Sequence, residues 1–167
     1  MRVMMAAAMT LALGGQAVAA NCPLHETLYR QPGNEWVLKF FPVPRDAAAN
    51  QISAFEIHSP GDPATVLSGA IHIPNGFGQP HGTVTLECDA DAECDPFWEG
   101  TVYALVDGGI AEFPWDPDLP RDAQVAPTQV LLPQFASNVW YSLLRDSYFA
   151  DAGILDTFTF FRCADDE

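Results

Sequence analysis

Four histidines, four cysteines and 22 carboxylates carry the metal-binding, redox and acid–base chemistry available to this 167-residue sequence. The histidines are His25, His58, His72 and His81. No HExxH pair exists, because His25-Glu26 is followed by Thr27, Leu28 and Tyr29. Asn75-Gly76 is a turn dipeptide between His72 and His81. If it closes a hairpin, His72 lies opposite roughly Thr83 and His81 nearer Pro74, so the two rings are diagonal neighbours with no third ligand forced beside them. A histidine metal site is therefore not expected, and no cofactor is assigned.

Nucleophilic and phosphate chemistry have less support. There is no G-x-S-x-G elbow, no P-loop and no G-x-G-x-x-G. The cysteines are Cys22, Cys88, Cys94 and Cys163. None forms a C-x-x-C pair, and none has the close spacing of a zinc knuckle. An even count in an exported chain reads as disulfides, with three connectivities open. Cys22–Cys163 with Cys88–Cys94 is favoured, because chain termini often lie close together and the second pair would pin a short loop between strands.

Export itself is read from residues 1–20. Arg2 is a short positive start, residues 3–13 are an apolar run, and Ala17, Ala19 and Ala20 are small residues at a cleavage site. That is a secretory signal peptide, and it is set aside in reasoning about the fold. Asn21 before Cys22 argues against a lipoprotein, whose cysteine follows a small residue. No later segment reaches 18 uninterrupted apolar residues, so no membrane span is expected. The expectation is one domain over residues 21–167 in a bacterial periplasm or exterior.

Charge is the most informative feature. The sequence carries 22 acids against seven Lys and Arg, a net of −15, and losing Arg2 with the signal deepens it to −16. An anionic chain does not attract nucleic acid or acidic lipid. Residues 87–122 hold eleven acids and one base, Arg121, a net of −10. Asp89, Asp91, Glu93 and Asp95 alternate between and just beyond Cys88 and Cys94. Counted from Asp89, the EF-hand glycine position is Cys94 and the bidentate glutamate position is Gly100, so an EF-hand is excluded. A different calcium loop remains open on ligand type alone, beside the plainer reading of a solvated acidic loop. Phe97-Trp98-Glu99 and Phe113-Pro114-Trp115-Asp116 add two tryptophans, with Asp118 just beyond. Such rings either cap a core or stack on a ligand beside carboxylates.

The elements that position these residues follow from periodicity. Segments 35–42, 52–58, 65–73, 82–88, 100–106, 109–113 and 154–162 read as strands, bounded by proline, glycine and asparagine turns. In 65–73, Leu67, Ile71 and Ile73 share one face. Asp107-Gly108 is a hairpin turn. Residues 154–162 are apolar on both faces, which suits a central or covered strand. Residues 134–149 repeat at helical spacing, with Phe135, Ala136, Val139, Trp140, Leu143 and Leu144 on one side. The expected fold is α+β: about seven mostly antiparallel strands, sandwich or barrel-like, with one late amphipathic helix and disulfide staples.

Two functions of different class fit. One is an exported, non-enzymatic binding or inhibitor-like module whose acidic patch meets a basic secreted protein or peptide. The patch is Asp89, Asp91, Glu93, Asp95, Trp98, Glu99, Trp115, Asp116 and Asp118. The other is a small hydrolase of polysaccharide or cell wall, or a carbohydrate- or calcium-binding domain, built on the same tryptophans and acids. A hydrolase needs two carboxyls in one cleft. A saline habitat would explain the charge with no partner at all, and the single lysine suits that idea.

Overall fold

The computed structural model describes residues 22–60, 66–76, 78–86, 96, 98–120, 123–142 and 153–164. Among these, ten strands occur: β1 Thr27–Arg30, β2 Val37–Phe41, β3 Gln51–His58, β4 Val66–His72, β5 His81–Leu86, β6 Trp98–Thr101, β7 Tyr103–Val106, β8 Gly109–Glu112, β9 Gln129–Leu131 and β10 Thr157–Cys163. One helix, α1, spans Phe135–Tyr141. All neighbouring strands pair antiparallel in one sheet of order β6-β5-β4-β3-β2-β1-β10-β9-β7-β8.

That order is strongly curled, into a half-barrel. β6 stands at one end of the sheet and β7 is next to the other end, yet only Val102 separates them in sequence. Eight steps across a flat sheet would span about 38 Å, whereas the Cα atoms either side of one residue are within about 7 Å. The segment 98–106 therefore draws the two ends together. Its first half pairs with β5 and its second half with β9 and β8, and Val102 N–H donates to the Pro80 carbonyl at 2.9 Å where the partner changes.

The concave side is the core. Tyr29, Leu38, Phe40, Phe55, Ile57, Leu67, Ile71, Val84, Trp98 and Phe158 are fully or almost fully buried there. Alternation along each strand delivers them, as in β3, where Phe55 and Ile57 face in while Glu56 and His58 face out. Rings meet edge-on or tilted, with Tyr29 and Phe40 centroids 5.6 Å apart and Phe40 and Phe55 5.7 Å apart. Burial pushes the Tyr29 phenol well above its usual pKa, and its O–H donates to the Pro127 carbonyl at 2.8 Å.

Antiparallel alternation gives the sheet two rims. At the first, β1 begins and β10 ends, and Cys22–Cys163 joins them with Cα atoms 6.0 Å apart. The expected end-to-end bridge is present. Residues 123–126 run along this rim, tied by the Leu24 N–H to Gln124 carbonyl bond at 2.8 Å and by the Pro23–Val125 bridge. At the second rim, β9 leads into α1. Asp156 holds the helix start, with its Oδ2 accepting from Gln134 N–H and its Oδ1 from Ala136 N–H at 2.9 and 2.8 Å.

Several expectations need correction. Ten strands replace about seven. β1 and β9 are only four and three residues long, too short to show a period, and 100–106 divides at Val102 because its partner changes. Helix α1 has seven residues; positions 143–149 of the expected helix lie outside the described residues. Phe135 and Val139 are buried as expected, but Trp140 is 41% exposed. The β4–β5 connection is a loop over 73–80 rather than a tight turn at Asn75-Gly76. That moves the register by two, so His72 faces His81 directly instead of Thr83. Asp107 and Gly108 do form the β7–β8 turn, both at positive φ (51° and 78°).

Candidate functional site

The acidic residues reach their positions by two routes. Leu86 ends β5 and Trp98 begins β6 at the second rim, on either side of residues 87–97. Asp89, Asp91, Glu93, Asp95, Cys88 and Cys94, with the expected Cys88–Cys94 bridge, lie outside the described residues. The chain then runs down 98–106 to the first rim, where Asp107 is exposed in the β7–β8 turn; Glu112, opposite Tyr103, is exposed at the far end of that hairpin, and Asp116 and Asp118 are exposed beyond it. The described acids of 98–118 thus do not share one rim.

Trp98 and Trp115 part company. Trp98 is 1% exposed, its ring packs edge-on to Phe135 at 6.4 Å, and its indole N–H donates to the Pro133 carbonyl at 2.9 Å. It locks β6 to the segment entering α1 and offers no face at the surface. Trp115 is partly buried against the core. Beside it, Gln124 organises the loop: its Oε1 accepts from Asp116 N–H at 2.9 Å, and its Nε2 donates to the Asp116 carbonyl at 2.9 Å and the Leu119 carbonyl at 3.2 Å. Asp116 Oδ1 accepts from Asp118 N–H at 2.9 Å. Gln124 is 2% exposed, and no sequence signal marked it. One Asp116 oxygen therefore serves the turn, while Asp118 stands in solvent.

Glu99 projects from the outer wall of β6, where its Oε1 lies 3.3 Å from His81 Nε2. His72, across the strand pair, is held below the usual histidine pKa by burial and then by the neighbouring His81. Among the described residues, no group of three or more His, Cys, Asp or Glu is arranged to hold a metal ion. The described carboxylates share no cleft either. Of two surface concavities, one of about 360 Å³ is lined by Leu24 and Phe41 among others and by no carboxylate, and one of about 540 Å³, with Leu105 and Thr159 in its walls, has Asp107 as its single carboxylate.

No family model matches this chain, and comparison with curated proteins and with solved structures returns no match.

Proposed function

We propose that this is an exported, non-enzymatic binding module that meets a cationic protein or peptide through its acidic surface. The observation that carries this reading is the concentration of charge: eleven acids and one base in residues 87–122. No Lys or Arg occurs between Arg45 and Arg121, so 75 consecutive residues carry no permanent positive charge. Glu99, Asp107, Glu112, Asp116 and Asp118 stand exposed on the described part, where they can steer a positive partner. Trp115 adds a half-buried ring beside Asp116. A disulfide fits an oxidising compartment, which suits an exported partner as well.

No observation favours a hydrolase. Glu99 lies on the outer wall of β6, and Asp116 and Asp118 lie at the first rim, where the hydrolase reading needs paired carboxyls across a cleft. The test of the binding reading is a pull-down from the native extracytoplasmic fraction at about 20 mM NaCl, well below physiological screening. A basic protein retained there and released by 0.5 M NaCl is expected. Recovery of no basic protein at low salt removes the proposal.

A further inference from the structure

The concavity of about 360 Å³ at the first rim has a chemistry opposite to the rest of the molecule. Its walls include Leu24, Phe41 and Ile52, and its polar groups are His25, Ser53 and Arg45. Such a volume lies at the small end of the range that holds organic ligands. A β-bulge builds it. The β3–β4 register shifts between Gln51 and Ser53, so Ile52 and Ser53 both turn inward where alternation would send one out. Bulges of this kind re-aim side chains and gather beside binding sites.

The polar groups of this pocket are under-used. Ser53 is 2% exposed, and its hydroxyl makes only a long contact, 3.5 Å, to the adjacent Ala54 carbonyl. His25 Nε2 lies 3.3 Å from Glu26 Oε1, while its Nδ1 is buried and meets no partner among the described residues. Buried polar atoms are nearly always satisfied, so the unpartnered His25 Nδ1, beside a Ser53 hydroxyl held only by a long contact, points to a group that enters this cavity. Arg45 is exposed at the mouth, with no carboxylate within 4 Å among the described residues, in a chain where acids outnumber Lys and Arg 22 to seven. A guanidinium presents a planar fork of donors matched to a carboxylate.

We propose that this pocket binds a small amphiphilic monocarboxylate, with its apolar body against Leu24, Phe41 and Ile52 and its carboxylate on Arg45. Ser53 and His25 supply the inner polar contacts. The net charge of the molecule selects a monoanion, because a second negative charge on the ligand adds repulsion that one guanidinium does not offset. At 0.15 M salt the distant acids are screened over about 8 Å, which leaves the local fork to decide. This site stands independently of the acidic surface and of its partner.

The test is a titration of the disulfide-bonded protein with octanoate, 1-octanol and octyl phosphate in 0.15 M NaCl, followed by NMR of the Leu24 and Ile52 methyl groups. Octanoate is expected to shift both saturably and to bind at least tenfold more tightly than 1-octanol. R45Q, a change at an exposed position, is expected to remove that advantage while leaving 1-octanol affinity within twofold. Absence of a saturable octanoate shift overturns the proposal. So does an octanoate affinity unchanged by R45Q, or octyl phosphate binding more tightly than octanoate.

Discussion

Replacing Cys22 and Cys163 together by serine removes a bridge that closes 141 residues of sequence separation. The loop-closure entropy restored to the unfolded chain is worth about 5 kcal/mol for a loop of that length. Near this chain length, each kcal/mol moves the melting temperature by roughly 3 °C, so the expected fall is about 15 °C. The folded state has little reason to change. β1 and β10 are already paired beside the bridge, Thr27 opposite Cys163, and Ala164 N–H donates to the Glu26 carbonyl at 2.7 Å. The assay is urea unfolding of C22S/C163S against the parent, with circular dichroism and tryptophan fluorescence as paired probes. The midpoint is expected to fall with coincident transitions. A loss below about 1 kcal/mol refutes the reasoning, since the unfolded chain must then already hold its ends together. If the double variant does not fold at 25 °C, the same comparison at 5 °C in 1 M trimethylamine N-oxide recovers the difference.

Three further outcomes follow from named contacts. Asp156→Ala deprives Gln134 and Ala136 of their N–H acceptors and should cost about 1–2 kcal/mol, with faster amide exchange in α1 than in β3; equal exchange in both elements would count against a capping role. Gly82→Ala places a Cβ 2.6 Å from Val102 Cγ2 and 2.9 Å from Trp98 Cζ3, so overpacking at the seam should cost about 1–3 kcal/mol and shift the tryptophan emission; an unchanged midpoint contradicts the seam. Because the folded pKa of His72 is depressed, its contribution to stability is present above the unfolded value near 6.5 and is lost as pH falls through the lower folded value. Proton NMR of the ring should show the His72 midpoint rising in H81Q while staying below 6.5, and a midpoint that does not move denies the coupling.

Much of the wall was legible because its strands alternate. The inward set Leu67, Ile71 and Ile73 lies where period two puts it, and Asp107-Gly108 turns where two residues tolerant of positive φ stand together. β1 and β9 were not legible, since four and three residues are too few to display a period, and their strand state comes from pairing with β10. The change of partner at Val102 is likewise a property of the curled sheet and has no local sequence mark. The candidate site was legible as charge but not as geometry. Trp98 and Trp115 look alike in sequence, each following Phe within two residues. Packing against Phe135 of α1 puts Trp98 in the core, while Trp115 is only partly buried against it. The bulge at Ile52-Ser53 was also invisible, because two adjacent inward residues break the alternation by which strands are recognised.

The central claim is that a local cluster of acids, rather than the total charge, binds a cationic partner. It is tested most directly by two variants of equal net charge. One neutralises Asp89, Asp91, Glu93 and Asp95 to their amides; the other does the same at Glu35, Asp46, Glu56 and Asp62, all outside residues 87–122. Both are used as bait against the native extracytoplasmic fraction at about 20 mM NaCl, where exposed charges act over tens of ångströms. The first variant is expected to lose the basic partner and the second to retain it. Equal retention by the two would contradict the claim and leave the acidity as a property of the whole surface.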